Sequence, residues 1–390
     1  MTDIDPVELA RTLIQCPSVT PADEGALDVL ARALTPLGFN CTPITFEEEG
    51  AAPVKNLYAK RGVNGPNFCF AGHTDVVPAG DVAAWTKPPF SGETSDGLLW
   101  GRGASDMKSA IAAFAAACAD FIAAGEPAGS ISLLITGDEE GAAINGTRKM
   151  LAWLRDNSEK IDHCLVGEPT NPEQMGDMIK VGRRGSINCW LTVEGRQGHV
   201  AYPHKAVNPV PTLARKLLLL SETPIDDGYE RFQPSSLQVT DIHIGNPAHN
   251  VIPAKATARF NIRFNPNWTG ESIENWIRDQ LDAIAAETGL QYTLETIVSG
   301  EAFLTTDKAF IQTIAASVET VTGKRPELST SGGTSDARFI KDFAPVAEFG
   351  MVGATMHQVD EHVALADIET LRKIYREILK NYFNTNGTTQ

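Results

Sequence analysis

Three short apolar runs in this chain each stop at a glycine and are followed by a histidine or a carboxylate. Residues 68–71 lead to His73, residues 131–136 lead to Asp138, Glu139 and Glu140, and residues 164–166 lead to Glu168. The runs do not alternate with polar residues, as expected of strands covered on both faces in a parallel sheet. Open α/β sheets bind ligands beyond the carboxyl ends of their strands, so the pattern predicts an α/β fold with a ligand site at one sheet edge.

The polar residues at these ends are of the types that bind metal ions. His73 and Asp75 would share one face of an extended segment, so Asp75 could accept a hydrogen bond from the imidazole while the other ring nitrogen holds a metal. A further carboxylate, Asp106, ends the segment GRGASD just before an alanine-rich helical segment. Each of these polar groups alone would be an ordinary polar strand end. The convergence of four such groups, from the three strand ends and from Asp106, favours a metal site.

Composition and charge narrow the classes of function. The 390 residues are 42% hydrophobic and 21% charged, which is typical of a soluble protein long enough for two domains. The formal net charge of -16 argues against binding to nucleic acid or to an anionic membrane. The first residues, MTDIDPVELA, lack the pattern of a signal peptide, and the longest aliphatic run, Leu217–Leu220, is too short to span a bilayer. We therefore expect a cytoplasmic protein.

The six cysteines show no CxxC pair, and four of them lie inside apolar runs. This pattern predicts reduced, buried side chains and argues against thiolate ligation of zinc.

The order of elements predicts two domains, one inserted into the other. Strands and helical segments alternate up to about residue 180, which predicts a sheet between helices. Over 182–296 the pattern changes to alternating strands and two amphipathic helices, which indicates a smaller α+β unit. Residues 1–181 and 297–390 would then form the α/β domain.

Several short motifs occur in order along nearly the whole chain, and together they resemble the M20 metallopeptidases. The motifs are HTDVVP, GRGASDMK, DEEG, GEP, GRRGS, QGHVAYP, HNVIP, GGTSDARF and DEHV. The resemblance implies a zinc-peptidase-like catalytic domain, with a mixed sheet between helices, that carries a dinuclear zinc site. It also implies that the inserted unit acts as a lid and dimer interface, and that the reaction is zinc-dependent hydrolysis of an amide.

The resemblance assigns five metal ligands: His73, Asp106, Glu140, Glu168 and His362. Two catalytic zinc ions with three protein ligands each need six bonds, so one of the five residues must bridge, and the family gives that role to Asp106. We expect two Zn²⁺ per subunit. The donor set also accepts cobalt or manganese. The family further implies a cis peptide bond between Asp106 and Met107.

The resemblance also assigns residues to catalysis and to the substrate. Glu139 would be the general base and acid, Asp75 would lie behind His73, and His199 would reach the substrate from the lid of the partner subunit. Residues expected to contact substrate carboxylates or the amide oxygen are Arg183, Ser186, Asn250, Arg263 and, from the catalytic domain, Thr334. The expected partners are a small molecule with several carboxylates and a second copy of the chain, without nucleic acid or membrane.

Alternatives remain within and outside this class. An acetylornithine deacetylase, an aminoacylase or a carboxypeptidase of the same family would share all five ligands, so the substrate depends on GRRGS, HNVIP and GGTSD alone. A non-catalytic metal-binding protein that kept the fold is a further alternative. Serine hydrolase and nucleotide-binding functions lack their motifs, since the chain has no GxSxG or P-loop and GRGASD lacks the third glycine of a dinucleotide fingerprint.

Overall fold

The computed structural model describes residues 3–386. Its α-helices are α1 Pro6–Ile14, α2 Ala26–Leu34, α3 Ser109–Ala124, α4 Thr147–Asp156, α5 Val210–Glu222, α6 Gly270–Thr288, α7 Lys308–Thr322, α8 Ala337–Ile340 and α9 Leu365–Asn386. Its strands are β1 Asn40–Glu48, β2 Ala51–Arg61, β3 Asn67–His73, β4 Thr94–Ser95, β5 Leu98–Trp100, β6 Ser130–Thr136, β7 His163–Val166, β8 Met178–Lys180, β9 Gly182–Arg183, β10 Gly185–Glu194, β11 Gly198–His199, β12 Ser236–His243, β13 Val251–Ile252, β14 Lys255–Phe264, β15 Tyr292–Gly300, β16 Phe303–Leu304, β17 Glu327–Ser329, β18 Val346–Glu348 and β19 His362–Ala364.

The described chain divides into two compact units. The first comprises 3–181, 305–329 and 335–386, and the second comprises 182–304 and 330–334. The second unit extends beyond the predicted boundary at residue 296, because β15 pairs along its length with β10. Thr334 also groups with the second unit, whereas the sequence placed it in the catalytic domain.

The first unit is built on an eight-stranded mixed sheet with the strand order β1-β2-β6-β3-β7-β18-β8-β17. Strand β3 runs parallel to both β6 and β7, while β2 pairs with β6 in the antiparallel sense. Every residue of β3 and β6 is buried, as the uninterrupted apolar runs predict. The predicted mixed α/β fold is confirmed.

The alanine-rich helix α3 forms the core of the first unit. Its residues from Ser109 to Ala119 are buried, and it packs against α1 and α9. The ring of Phe114 stacks on Phe70 of β3 with centroids 4.3 Å apart, which joins helix to sheet. The segment Ala104–Ala124 has the length and apolarity of a membrane span, but most of it is buried among other helices and strands, as in the core helix of a globular domain.

The cysteines follow the prediction made from their positions. All six are free thiols, and the four in apolar runs, Cys69, Cys118, Cys164 and Cys189, are buried.

The second unit packs two helices on a four-stranded antiparallel sheet with the order β12-β14-β10-β15. Buried and more exposed residues alternate along β10 and β14, as expected of a sheet with one covered face. The covered side chains, among them Leu191 and Phe260, pack with Leu213 and Leu217 of α5 and with Ile277 of α6. The predicted α+β character is confirmed.

Candidate metal centre

The register of the central strands brings the predicted ligands to one edge of the sheet. His73, the last residue of β3, pairs with Thr136, the last residue of β6. Ala71 pairs with Val166 of β7, two residues before Glu168. The acidic turn after β6 and the loop after β7 therefore both lie beside His73, because the three strands are parallel and end together.

The imidazole of His73 is buried and faces two of the predicted carboxylates. Its Nε2 lies 3.1 Å from Oδ1 of Asp106 and 3.8 Å from Oε1 of Glu168. Its Nδ1 lies 2.9 Å from the backbone carbonyl oxygen of Asp75. Since a carbonyl only accepts, Nδ1 carries the hydrogen. This leaves the lone pair of Nε2 available to bind a metal ion.

Asp75 supports the site in a different way from the one predicted. Its Oδ1 is 3.6 Å from Nδ1 of His73, which instead donates to the Asp75 carbonyl oxygen. The carboxylate accepts hydrogen bonds from the backbone N–H groups of Glu139 at 3.3 Å and Glu140 at 3.0 Å. Asp75 thus holds the acidic turn against the end of β3.

The second histidine of the site is His357 rather than His362. The Nε2 atom of His357 lies 2.8 Å from Oε1 of Glu140 and 3.3 Å from Oδ2 of Asp106. The Nδ1 of His362 instead lies 2.7 Å from the carbonyl oxygen of Asp360, and its ring packs on Trp100 with centroids 4.5 Å apart. The assignment of His362 is therefore corrected, because pairing of β19 with β5 directs that residue to Trp100 while the preceding turn presents His357.

The backbone at His357 is strained. Its φ of 61° lies in the left-handed region, which side chains with a Cβ rarely adopt. Such outliers persist where surrounding contacts impose them, and they cluster at functional sites. The conformation is consistent with a residue held for its contact with Asp106 and Glu140.

The donor atoms form a compact set that fits divalent metal ions. The ligand atoms of His73, Asp106 and Glu140 lie within 4.8 Å of one another, as do those of His73, Glu139 and Glu168. Oε1 of Glu168 is buried without a hydrogen-bond partner, so it is an acceptor that a cation would satisfy. Imidazole nitrogen and carboxylate oxygen suit zinc and related divalent ions.

The electrostatics of the cluster also favour the binding of a cation. Burial raises the pKa of Glu168 well above its ordinary value, and the charges of Asp106 and Glu139 add to the rise. Burial likewise raises the pKa of Glu139, while the charge of His73 opposes the rise. Burial alone would raise the pKa of Asp106, but hydrogen bonds from His357 and His73 lower it. Carboxylates this close repel each other unless cations lie between them.

The predicted substrate residues Arg183, Ser186, Arg263 and Thr334 all belong to the second unit. Ser186 and Arg263 are register partners on β10 and β14, and Asn261 links them by donating to Ser186 Oγ at 3.1 Å and accepting from Arg263 Nε at 3.1 Å. Burial and the neighbouring charge of Arg184 lower the pKa of Arg263. Arg183 donates to the carbonyl oxygen of Gly333 at 3.0 Å. Arg183, Arg184 and Arg263 therefore bring positive charge to the part of this unit that carries the predicted substrate residues, as an anion site requires.

The remaining predicted residues, His199 and Asn250, are exposed and adjacent in the second unit. His199 pairs with Val251 in the two-stranded ribbon of β11 and β13, and the backbone N–H of Val200 donates to the Asn250 carbonyl oxygen at 3.0 Å. Nδ1 of His199 accepts from the N–H of Ala201 at 3.1 Å, which leaves Nε2 directed away from the backbone.

His357 is the site residue that sequence reasoning missed. It ends the segment ATMH, three residues before the DEHV motif that carried the assignment of His362. The sequence signal for this ligand was a histidine near the end of the chain, and both His357 and His362 fit that description. The structure also confirms the expected cis peptide bond between Asp106 and Met107.

A mixed sheet with two histidines, one of them buried, and several carboxylates clustered beyond its strand ends defines a hydrolase of the metallopeptidase class. The chain belongs to the peptidase family M20/M25/M40, whose family model matches residues 69–381. This confirms the resemblance found in the sequence motifs.

Individual relatives agree with this family. The chain is 61% identical over 380 residues to a succinyl-diaminopimelate desuccinylase from Rhodospirillum centenum, covering 97% of each chain. It is 58% identical over 379 residues to a protein of the same name from Maricaulis maris, covering 97% of this chain and 96% of the relative. Among solved structures, the YXEP protein of Bacillus subtilis, a dinuclear metal binding peptidase from the M20 family, superposes with a TM-score of 0.72 at 15% identity, covering 97% of this chain and 98% of that one.

Proposed function

We propose that this protein hydrolyses N-succinyl-LL-2,6-diaminopimelate to LL-2,6-diaminopimelate and succinate, in bacterial diaminopimelate and lysine biosynthesis. The observation that carries the proposal is 61% identity over 97% of the chain to a protein named for this activity. The cluster of imidazole and carboxylate groups around His73 supports the proposal, because divalent ions held there would supply the chemistry that amide hydrolysis needs. A cytoplasmic location would agree with a biosynthetic role.

Two metal ions per subunit, zinc or in its place cobalt, would bind around Asp106. The two oxygens of Asp106 face different histidines, with Oδ1 at 3.1 Å from His73 and Oδ2 at 3.3 Å from His357. This geometry suits a bridging carboxylate, with Glu168 on the side of His73 and Glu140 on the side of His357. Bound divalent ions would polarise the amide carbonyl and lower the pKa of a water molecule.

Glu139 would move the proton during hydrolysis. Asp75 accepts a hydrogen bond from its backbone N–H, so the residue is held at the site while Glu140 faces His357. Burial raises the pKa of its carboxyl group, which favours a group that takes a proton from water and returns it to the leaving amine near neutral pH.

Positive groups of the second unit would bind the substrate carboxylates. A guanidinium presents a planar fork to a carboxylate, and Arg183 and Arg263 both lie on strands of this unit, with Ser186 beside Arg263. Thr334 would add a contact to the amide or carboxylate oxygens. The substrate carries one succinyl carboxylate and two from diaminopimelate, which matches a site rich in positive charge.

The exposed pair His199 and Asn250 would act in a homodimer. Both residues lie at the surface of the second unit, so they are available to the active site of a partner subunit. There His199 would donate a hydrogen bond to the developing oxyanion, where charge stabilisation contributes most to the rate.

A comparison of two substrates tests the proposal. The purified, zinc-loaded protein should release amine from N-succinyl-LL-2,6-diaminopimelate with a kcat/KM well above that for N-acetylornithine. The Glu139→Gln variant serves as the control for contaminating hydrolases. Preference for N-acetylornithine would overturn the substrate but leave the mechanism, and hydrolysis of neither would overturn the proposed activity.

A further inference from the structure

Glu361 is a fully buried carboxylate that the proposed mechanism does not use. Its relative exposure is 0%, and both of its oxygens accept two hydrogen bonds. Oε1 accepts from the backbone N–H groups of Ser105 at 2.8 Å and Asp106 at 3.2 Å. Oε2 accepts from Gly103 N at 3.1 Å and from Arg102 Nη1 at 2.7 Å. Burying a carboxylate costs desolvation free energy even when the group is fully hydrogen-bonded. The burial of Glu361 therefore points to a role that depends on its position.

These contacts fix the backbone of the proposed bridging ligand. The irregular turn Ala104–Lys108 leads into α3, and Asp106 and Met107 within it have non-helical φ and ψ angles. N–H groups at the start of a helix have no partner within the helix. Glu361 provides that partner from 255 residues further along the chain, at Asp106 itself. The position of the Asp106 carboxylate therefore depends on Glu361.

Arg102 extends the same network to the turn that carries His357. Its Nη1 donates to the carbonyl oxygen of Gln358 at 3.2 Å as well as to Glu361. Its guanidinium lies over the ring of Trp85, with 5.2 Å to the centroid. The buried ion pair of Arg102 and Glu361 thus joins the segment just before Asp106 to the segment just after His357. Asp106 and His357 are the two residues that meet at the proposed metal centre.

The turn around His357 needs such support. Both His357 and Asp360 have a φ of 61°, a conformation that costs free energy in any residue with a Cβ. Ser105 adds a second tie by donating its hydroxyl to the carbonyl oxygen of Val352 at 2.8 Å. The strained turn is therefore held at both ends by the segment that precedes α3.

We propose that Glu361 is a positioning residue of the metal centre, which with Arg102 holds Asp106 and His357 at the separation that one metal ion requires. The inference rests on the proposed metal centre described above. Replacing residues that hydrogen-bond to metal ligands typically changes metal affinity or activity by about 10- to 100-fold. Glu361 touches no ligand side chain, so its influence would pass through the backbone.

The variant Glu361→Gln tests this role. It keeps the size of the side chain but replaces one acceptor oxygen by an NH₂ group, which would face either the pair Ser105 and Asp106 or the pair Gly103 and Arg102. The control is Asp120→Asn, which breaks a comparable ion pair in the same unit, where Arg372 donates to Asp120 at 2.7 and 2.8 Å. Neither Asp120 nor Arg372 adjoins a proposed ligand.

Metal binding is measured on the metal-free proteins by titration with Co²⁺, followed by calorimetry and by the visible absorption of the bound ion. We expect Glu361→Gln to weaken one of two Co²⁺ sites by about tenfold or more and to change its absorption. Asp120→Asn should lower the melting temperature without altering Co²⁺ affinity by more than twofold. Arg102→Lys, which keeps the charge but not the reach to both Glu361 and Gln358, should show a smaller loss in the same direction, and it replaces Glu361→Gln if that variant does not fold.

The outcomes separate this inference from the proposed function. If the unmodified protein binds two Co²⁺ and hydrolyses the substrate while Glu361→Gln and Arg102→Lys bind Co²⁺ equally well, the positioning role is wrong and the proposed function stands. Equal losses of Co²⁺ affinity in Asp120→Asn and Glu361→Gln would show a general loss of stability and would also overturn the role. Failure of the unmodified protein to bind Co²⁺ would overturn both.

Discussion

Nε2 of His357 lies 2.8 Å from Oε1 of Glu140, although the two residues are 217 positions apart in the chain. The same nitrogen is 3.3 Å from Oδ2 of Asp106. This contact places His357 at the side of Asp106 opposite His73. It converts a one-histidine cluster into one with the donors that two metal ions need.

Replacement of the two C-terminal histidines should have opposite outcomes. His357→Ala should lose one of two bound metal ions and lower kcat/KM by roughly two orders of magnitude or more, because a metal ion contributes several kcal/mol of transition-state stabilisation. His362→Ala, the matched control, should keep both ions, since its ring contacts Trp100 and the Asp360 carbonyl. Metal content by mass spectrometry and steady-state kinetics measure both effects. Loss of metal in His362→Ala alone would restore the original assignment.

Glu139→Gln should separate proton transfer from metal binding. The amide cannot accept the proton from water, so kcat should fall by about 10²- to 10⁴-fold, the usual contribution of a general base. Metal content should stay at the level of the unmodified protein, because this variant keeps all of the proposed ligands: His73, Asp106, Glu140, Glu168 and His357.

Single-turnover kinetics and metal analysis of Glu139→Gln provide the check. Unchanged turnover, or loss of metal with loss of activity, would show that Glu139 has another role.

Asp75→Asn should reduce activity by weakening the hold on the acidic turn. The two carboxylate oxygens accept separately from Glu139 N and Glu140 N, so an amide must present its NH₂ group to one of them. We expect kcat/KM to fall by about 10- to 100-fold, as for other groups that orient metal ligands.

Asp138→Asn is the control for this prediction. A single oxygen of Asp138, Oδ2, accepts from both Ile144 N and Asn145 N, so the asparagine oxygen can take its place. Its loss in kcat/KM should be clearly smaller than that of Asp75→Asn. Equal losses in the two variants would indicate that charge rather than hydrogen bonding decides the effect.

The metal-free protein should become less stable as the pH rises. In the absence of metal, burial raises the pKa of Asp75 from 3.8 to about 6, and the pKa values of Glu139 and Glu168 also lie well above their ordinary range. Contacts with Asp106 and Glu140 raise the pKa of His357 to about 10. A group whose pKa is raised on folding stabilises the protein below its unfolded pKa, and that contribution is lost as the pH passes the folded value.

Thermal unfolding between pH 5 and pH 9 measures this effect, because the Asp75 contribution is lost as the pH approaches about 6 and the His357 contribution is lost above pH 6.5. The melting temperature of chelator-treated protein should fall across this range, whereas the zinc-loaded protein should show a higher and flatter profile, since ligand binding to the folded state stabilises it. A melting temperature of the metal-free protein that rises with pH would contradict the prediction.

Sequence alone determined the parts of this protein that depend on local patterns. Uninterrupted apolar runs fit strands buried on both faces, and a glycine followed by a charged group marks their ends, so His73, Glu140 and Glu168 could be assigned to one sheet edge. The order of short motifs along the chain identified the M20 family, and the match of the family model to residues 69–381 confirmed it.

Tertiary structure decided the features that depend on contacts between distant segments. His357 and His362 both lie near the end of the chain in segments without hydrophobic periodicity, so no local pattern distinguishes them. Pairing of β19 with β5 directs His362 to Trp100, and the strained turn before it brings His357 to Glu140. The limit of the second unit at Leu304 likewise follows from the pairing of β15 with β10 and of β16 with β9, because strand pairing depends on partners far away in the sequence.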